Sequence, residues 1–427
     1  MITTELLKHL KEGGLDARLI ALYGEARLES ARARYAKAIA AFEGIYGKER
    51  DVSLFSVSGR SELSGNHTDH NKGCVIAAAI DLDIIAVAAK RADTTIRVTS
   101  EGFPEDVVDI AVFNAPLAAR FSRSDALIAG VCEGLRRMGF AAGGFDAYTT
   151  SNVLKGSGLS SSAAFEDMIG NIENHFYNGG TVDNAVIAKI AQFAENEFFG
   201  KPCGLMDQMG CGIGGIVAID FADPANVQYE KIDFDLSARG FALCIVDTGG
   251  NHANLTPDYA AIPAEMKAVA AHFGKRVLRE VDEAELLAAI PALRKTVGDR
   301  AILRALHFLG ENRRVAAQKA ALQAGDLAAF FSLVAASGRS SFCYLQNVYS
   351  PTNPAEQGLS LALALAEDFL AARGGVCRVH GGGFAGTVQA YVPLDAVDDF
   401  IAHMDAVFGK GATIPLRIRP MGAICVL

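Results

Sequence analysis

The chain has 427 residues; half of them are apolar and 21% are charged, which is the composition of a soluble globular protein. The length exceeds that of one typical core and predicts two domains. A net charge of −9, without a basic stripe, argues against a nucleic-acid-binding protein.

The eight cysteines are scattered and form no Cys-x-x-Cys pair, so the sequence indicates neither a zinc ribbon nor a disulfide framework. Residues 1–4 contain no basic segment followed by an apolar core, and we therefore expect a cytoplasmic protein without a signal peptide. Two aspartates interrupt the longest apolar run, Cys74–Ala89, which predicts a pair of buried strands rather than a membrane span. Small molecules, not membranes or nucleic acids, are the expected partners.

Taken in order, the chain begins with a predicted helical extension over residues 1–48, rich in Ala, Leu, Arg and Glu and broken at Gly13-Gly14. We assign no chemistry to this extension. A β-rich run follows over Val52–Val57, and the pair Gly59-Arg60 predicts its end.

The segment Gly59–Gly73 is the densest polar cluster of the chain, with Arg, Glu, Asn, two His, Thr and Asp between glycines. Such a loop between apolar strands is typical of a small-molecule site, and a solvated turn is the alternative. His67, Asp69 and His70 are possible metal ligands, which leaves a metal-dependent hydrolase open. The two histidines lack the i, i+4 spacing that aims both imidazoles from one helix face, so the metal site is the weaker hypothesis.

A glycine loop followed by a serine-capped helix is predicted around residues 156–172. Two glycines allow a sharp bend, three serines follow, and apolar residues then recur at helical spacing. Unpaired backbone N–H groups and the positive end of the helix dipole meet at such a helix start, which favours anions. An ordinary capped loop–helix junction is the competing interpretation.

A second helix is predicted over Val182–Phe199, near whose end Glu195 or Glu197 can face a site. The turn Lys201–Gly210 follows and presents a single carboxylate, Asp207. An Asp after such a turn is most often a helix N-cap, which is the structural alternative to a functional role.

The composition becomes more Ala-rich and helical from Tyr259, and we place a domain boundary near residue 225, giving domains 1–225 and 226–427. Gly381–Gly386 fits the dinucleotide pattern Gly-x-Gly-x-x-Gly, but a strand rather than a helix is predicted after it, which disfavours a Rossmann half. Two glycine loops, a polar loop and an exposed Asp are a combination suited to phosphoryl transfer.

Four segments in chain order resemble the motifs of the GHMP small-molecule kinases and, within that family, of its galactokinases. Gly59–Gly73 is similar to the pattern Gly-Arg-x-Asn-Leu-Ile-Gly-Glu-His-Thr-Asp-Tyr-Asn, and Leu154–Ala164 resembles the phosphate loop. Cys203–Gln208 resembles the catalytic-Asp segment, and Arg378–Thr387 the late glycine motif. The resemblance covers most of the chain and leaves only the N-terminal extension outside it.

The resemblance implies an α+β fold of two domains, an N-terminal α/β domain and a ferredoxin-like C-terminal domain, with the active site between them. It also implies an ATP- and Mg²⁺-dependent sugar 1-kinase that converts galactose to α-galactose 1-phosphate. Because an arginine beside a carboxylate lowers its pKa, the catalytic Asp is expected to be a weak base, which a loose transition state tolerates.

Residue roles follow from the same resemblance. The implied catalytic residues are Asp207 and Arg60. The implied sugar-binding residues are Asn66, His67, Asp69, Gly204 and Tyr259. The implied contacts of the ATP phosphates are Gly156, Ser157, Gly158, Leu159, Ser160, Ser161, Ser162 and Ala163. The implied ligands of Mg²⁺, a hard cation suited to oxygen ligands, are Ser161, Ser162 and Glu195.

Three departures from the family pattern matter for the site: Asn66 stands where galactokinases usually have Glu, Lys155 precedes the phosphate loop, and Ala385 replaces a late glycine. Asn66 would remove the repulsion between a Glu and a C6 carboxylate, which leaves galacturonate as an alternative substrate. A non-catalytic sugar sensor on the same scaffold is a further alternative. We expect a monomer.

Overall fold

The computed structural model describes residues 1–153, 158–250 and 255–427. The helices are α1 (Thr3–Lys11), α2 (Asp16–Tyr23), α3 (Leu28–Tyr46), α4 (Ser124–Arg137), α5 (Ser161–Asn178), α6 (Asn184–Phe193), α7 (Met206–Ile213), α8 (Thr256–His272), α9 (Glu283–Thr296), α10 (Asp299–Ala324), α11 (Leu327–Ser340), α12 (Gly358–Ala371) and α13 (Val397–Phe408). Wider π-helical turns continue α6 as Ala194–Phe199 and α11 as Ser341–Leu345. Among the described residues, no helix combines the length and the apolar composition that a membrane crossing requires.

The strands are β1 (Ser53–Ser64), β2 (Cys74–Lys90), β3 (Thr95–Ser100), β4 (Asp106–Asp109), β5 (Phe145–Ser151), β6 (Ile216–Asp220), β7 (Gln228–Ile232), β8 (Phe241–Asp247), β9 (Val376–Val379), β10 (Thr387–Pro393), β11 (Thr413–Leu416) and β12 (Ile424–Cys425). They form two sheets. The first has the order β12-β1-β2-β5-β3-β4, and β6 and β7 extend it beside the other end of β2.

Helices cover both faces of the first sheet. Side chains alternate along β1, so that Phe55 and Val57 pack against α4 and α5 while Leu54 packs against α1–α3 on the opposite face. The predicted N-terminal helical extension is therefore confirmed, and its apolar side forms one layer of the core.

Two strand predictions are wrong. β1 does not end at Gly59-Arg60 but continues to Ser64, because its pairing with β2 resumes after a register shift, with Arg60 opposite Ala79. A side chain at Gly59 would place its Cβ 2.8 Å from the carbonyl oxygen of Leu159, so glycine permits this close approach. The predicted pair of strands within Cys74–Ala89 is the single strand β2.

The second sheet, β11-β8-β10-β9, is antiparallel throughout. α12 and α13 pack on one face of it, and α10 and α11 pack on the other, together with apolar residues of β2. This confirms the predicted α+β architecture. The chain changes sheet between Ile232 and Phe241, and β12 returns to pair with β1. The division at residue 225 stays a prediction.

Asp83 of β2 is completely buried beneath the helical extension. It accepts hydrogen bonds from Tyr23 at 2.6 Å and Ser56 at 2.5 Å, and it pairs with Arg34 of α3 and, at 3.1 Å, with Arg419. Burial raises the pKa of this carboxyl, but the two arginines and the hydroxyls outweigh burial and leave the pKa below its ordinary value. The ionised cluster therefore stabilises the fold above the ordinary carboxyl pKa, and this contribution is lost as the pH falls through the lowered pKa.

We predict that Asp83→Ala lowers the free energy of unfolding by about 3–5 kcal/mol, because it leaves the buried Arg419 without its counter-charge. The matched control is Asp51→Ala, whose carboxylate is 89% exposed and pairs with the N-terminal amine. The control is expected to lose less than about 1 kcal/mol. Urea unfolding followed by circular dichroism measures both, and similar losses would contradict the role assigned to the cluster.

Candidate active site

A polar cavity of about 210 Å³ lies where β1, the turn before α7 and the late glycine motif meet. Its lining residues are Arg60, Glu62, Gly65, His67, Asp69, His70, Lys201, Pro202, Cys203, Gly204, Met206, Asp207, Gly381 and Gly382. Three of the four segments singled out in the sequence therefore converge on one cavity.

Arg60 and Asp207, the two predicted catalytic residues, form an ion pair in the polar cavity. Nε and Nη2 of Arg60 donate to one carboxylate oxygen of Asp207 at 2.9 and 2.6 Å. Arg60 is buried, whereas the Asp207 side chain is 37% exposed and can meet a ligand. Leu205 holds the N-cap position of α7 and Asp207 lies in the first turn, so the N-cap interpretation of Asp207 is wrong.

The pKa of Asp207 is set by opposing effects. Burial raises the pKa of its carboxyl, but the positive charge of Arg60 and the nearby hydroxyl of Ser160 outweigh burial, and the pKa falls below its ordinary value. Asp207 is therefore ionised at neutral pH and is a weak base.

The described part of the early glycine loop is tied to Arg60. The Arg60 backbone N–H donates to the carbonyl of Leu159 at 3.1 Å, and its guanidinium donates to the carbonyl of Gly158. Ser160 has a left-handed φ of 63°, and α5 begins directly after it. The late motif is adjacent, since a Cβ on Gly381 would lie 3.7 Å from Cα of Gly158.

The other predicted phosphate contacts differ in exposure. Leu159 and Ala163 are completely buried, whereas Ser161 and Ser162 are half-buried at the start of α5. Two predicted contacts lie outside the described residues, Gly156 and Ser157, as does Lys155.

Glu195, the predicted metal-binding carboxylate, lies on the π-helical turn after α6 and is 2% exposed. Its two oxygens accept from Lys201 at 2.7 Å and from Gln208 at 3.0 Å, and Gln208 also donates to Glu166 at 3.1 Å. Burial, and then repulsion from Glu195, raise the pKa of Glu166 well above its ordinary value. In this structure the ammonium of Lys201 supplies the counter-charge of the buried Glu195.

Within the ranges that the structure describes, no three His, Cys, Asp or Glu side chains are grouped as a metal site. A hydrolase built on His67 and His70 therefore lacks a third such protein ligand there. Mg²⁺ at a nucleotide has a different requirement, since it is usually held by one or two carboxylates together with substrate phosphates and water. Glu195 and the hydroxyls of Ser161 and Ser162 fit that donor set.

His67 and Asp69 both reach the polar cavity from the loop after β1. Nε2–H of His67 donates to the carbonyl of Gly382 at 2.9 Å, and burial lowers the pKa of His67 to about 4, so the imidazole is neutral at pH 7. A Cβ on Gly204 would lie 1.9 Å from Oδ2 of Asp69. Glycine at position 204 therefore gives the Asp69 carboxylate its space.

Asn66 is completely buried and is not among the described residues that line the polar cavity. Its amide donates to the carbonyl of Gly381 at 2.6 Å and to Glu62 at 3.2 Å, and its oxygen accepts from Asn347 at 2.8 Å. The donors of Asn66 are thus used within the protein. In this arrangement Asn66 supports the cavity and does not offer its amide to a sugar.

Glu62 is a charged cavity residue to which the sequence interpretation gave no role. It is 3% exposed, lines the polar cavity and pairs with Arg378 at 2.7 Å. Burial raises the pKa of its carboxyl, and Arg378 and Arg60 oppose this rise. A signal for Glu62 was present, because the family pattern has Asn at this position and Glu at position 66, the reverse of this chain.

Tyr259 packs on the late glycine motif. Its hydroxyl donates to the carbonyl of Gly383 at 2.8 Å, and its ring meets Phe384 edge-on with the centroids 5.3 Å apart. A Cβ on Gly382 would lie 2.7 Å from this ring. Tyr259 is not among the described residues of the cavity lining, and its closure over a sugar stays a prediction.

The fold and the converging motifs define a GHMP-type small-molecule kinase. Residues 40–90 match the galactokinase galactose-binding signature, and residues 126–215 match the N-terminal domain of GHMP kinases. A galactokinase of Streptomyces coelicolor is 34% identical over 383 residues, which are 88% of this chain and 94% of that protein. The chain therefore belongs to the galactokinase family.

Solved structures share the fold. Lactococcus lactis galactokinase, complexed with galactose, superimposes with a TM-score of 0.75 at 24% identity, over 90% of this chain and 98% of that chain. Mevalonate kinase of Methanococcus jannaschii has a TM-score of 0.61 at 14% identity, over 86% of this chain and 98% of that chain. The arrangement of the two sheets is thus common to kinases of different substrates.

The lowered pKa of Asp207 predicts the pH dependence of kcat/KM. Because the pKa of this carboxyl lies below its ordinary value, we expect no acid limb from Asp207 between about pH 5 and 8. In Arg60→Met, burial is no longer opposed by the guanidinium, and the limb is expected to move toward neutral pH. Phosphorylation rates measured across pH test this, and a wild-type limb near neutral pH that Arg60→Met leaves unmoved would contradict it.

Proposed function

We propose that the protein transfers the γ-phosphoryl group of ATP to the C1 hydroxyl of galactose, giving α-galactose 1-phosphate and ADP. The ion pair of Arg60 and Asp207 in the polar cavity, beside the glycine loop at the start of α5, carries this proposal. Galactokinase family membership and the galactose-binding signature over residues 40–90 support galactose as the sugar.

Asp207 accepts the proton of the C1 hydroxyl while that oxygen bonds to the γ-phosphorus and ADP leaves. A weak base suffices, because in a loose transition state the attacking oxygen loses its proton late. Arg60 binds both Asp207 and the Gly158 carbonyl, so it positions the base relative to the phosphate loop. His67 and Asp69 are the proposed partners of sugar hydroxyls.

The start of α5 is the proposed phosphate site. The first N–H groups of a helix lack intrahelical acceptors, and they favour phosphate oxygens together with the helix dipole. The described residues Gly158–Ala163 form this turn, which Arg60 holds against β1.

Mg²⁺, when bound, would neutralise charge on the transferred phosphoryl group. We propose Glu195 with the hydroxyls of Ser161 and Ser162 as its protein ligands. In this structure Lys201 neutralises Glu195. The Lys201 side chain is 60% exposed, so it has room to turn toward the phosphates when Mg²⁺ takes its place.

The alternatives are weaker. The galacturonate alternative relied on the amide of Asn66 to donate to the C6 carboxylate. In the structure this amide donates to Glu62 and to the carbonyl of Gly381 instead. A non-catalytic sensor would not need the buried Arg60 to hold a carboxylate in the cavity. We also propose that the enzyme acts as a monomer in the cytoplasm, as expected from the sequence.

We expect Asp207→Asn to lower kcat by about 10²–10⁴-fold, because the amide cannot accept the C1 proton. Coupled ADP release measures this with galactose, galacturonate, glucose, N-acetylgalactosamine and mevalonate at fixed ATP and Mg²⁺. Asp223→Asn, in an exposed loop after β6, is the control and should keep full activity. Near-normal turnover by folded Asp207→Asn would overturn the role of Asp207.

Glu195→Gln is expected to raise the Mg²⁺ concentration for half-maximal activity by about 10-fold or more, because one charged metal ligand is lost. Calorimetric titration of ADP at several Mg²⁺ concentrations gives a second readout, independent of turnover. Glu197→Gln changes an exposed glutamate of the same π-helical turn and should leave both measurements unchanged. An unaltered Mg²⁺ dependence in Glu195→Gln would remove Glu195 from the metal site.

A further inference from the structure

Positions 62 and 66 carry a reciprocal exchange. The family pattern has Asn at the first position and Glu at the second, whereas this chain has Glu62 and Asn66. The two side chains are hydrogen-bonded, with Nδ2 of Asn66 at 3.2 and 3.4 Å from the oxygens of Glu62. One carboxylate and one amide are therefore in contact here, with their places in the sequence swapped.

The exchange puts the acid on the cavity side of this pair. Glu62 follows Arg60 by two residues on a regular stretch of β1, so both side chains lie on the same side of the strand. Both residues line the polar cavity, while Asn66 is completely buried. Behind Glu62, the buried Arg378 donates to Oε1 at 2.7 Å and fixes the carboxylate.

Glu62 keeps hydrogen-bonding capacity for a ligand. Oε1 of Glu62 accepts hydrogen bonds from Arg378 and Asn66. Among the described residues, Oε2 has one contact, the longer one of 3.4 Å with Asn66. A carboxylate offers about four lone-pair positions. Because a buried acceptor without donors is costly, a ligand hydroxyl at this place is favourable.

We propose that Glu62, rather than the residue at position 66, accepts a hydrogen bond from a hydroxyl of the sugar and makes the site select neutral sugars over sugar acids. The inference rests on the proposed sugar kinase activity and names a specificity-determining residue for it.

The charges of the polar cavity support the rejection of sugar acids. Three carboxylates line it, those of Glu62, Asp69 and Asp207. The nearby cations are already engaged with carboxylates, Arg60 with Asp207, Arg378 with Glu62 and Lys201 with Glu195. The carboxylate of a uronate would bring a further negative charge, and repulsion at short range in a partly buried site disfavours it.

The test compares wild type with Glu62→Gln, using kcat/KM for galactose, 2-, 4- and 6-deoxygalactose and galacturonate. Removing the hydroxyl that donates to Glu62 is expected to cost about 10- to 100-fold in wild type and distinctly less in Glu62→Gln, because the neutral amide oxygen is a weaker acceptor than a carboxylate. The other deoxy sugars should lose the same factor in both proteins. A merely structural role of Glu62 would lower kcat/KM for every sugar alike.

Two further variants separate contact from folding. The double variant Glu62→Asn with Asn66→Glu restores the family order, and its galactose kcat/KM is expected within about 10-fold of wild type. Glu173→Gln changes another completely buried glutamate, outside the described cavity lining, and should leave the sugar ratios unchanged. Thermal unfolding identifies a variant that does not fold. If Glu62→Gln does not fold, the deoxy sugars are compared between wild type and the double variant instead.

Equal losses for all sugars in Glu62→Gln would overturn the inference. Wild-type preference for galacturonate over galactose would overturn it too, while leaving the sugar kinase activity intact. If no sugar is phosphorylated, the proposed function fails instead. In that case calorimetric titration measures the affinities of wild type and Glu62→Gln for galactose and the same deoxy sugars. A loss of affinity on removal of one hydroxyl that is larger in wild type than in Glu62→Gln would still identify the contact with Glu62.

Discussion

The Arg60 guanidinium is the interaction on which the site depends. It is buried, and it donates to the Asp207 carboxylate and to the carbonyl of Gly158. These contacts connect β1, α7 and the loop before α5, which are far apart in the chain. Losing the guanidinium would leave a partly buried carboxylate without its counter-charge and would break the side-chain contact with Gly158, so base strength and loop position both depend on one side chain.

The C-terminal half of the chain shapes the sugar side of the same site. His307 of α10 donates to the carbonyl of Asn66 at 2.9 Å, Glu311 accepts from the N–H of Gly65 at 3.2 Å, and Arg378 of β9 donates to the carbonyl of Leu63 at 3.0 Å. The backbone of the polar loop is thus fixed by residues that do not themselves line the described cavity. The site exists only when both halves of the chain are folded against each other.

The environment separates the protonation states of the cavity residues. Burial keeps His67 neutral, since the pKa falls to about 4, while Arg60 keeps Asp207 ionised although burial acts in the opposite direction. The N–H of the neutral His67 is bonded to the Gly382 carbonyl, which leaves Nδ1 as an acceptor for a sugar hydroxyl, while the ionised Asp207 can accept a proton at pH 7. This is the combination that a sugar hydroxyl array and a departing proton require.

The sequence by itself determined which segments supply the functional groups of the site. Glycines, serines and helical periodicity predicted the loop and helix around Ser160, and the resemblance of four segments to the family motifs implied that Arg60 and Asp207 lie together. Local patterns could not predict which side chains near the end of β1 face the cavity, because the residues that pair with those side chains are remote in the sequence. Arg60 lies 147 positions from Asp207 and Glu62 lies 316 positions from Arg378. Only the tertiary structure decided that Glu62 lines the cavity while Asn66 is buried, since desolvation and pairing with those remote groups fix each side chain.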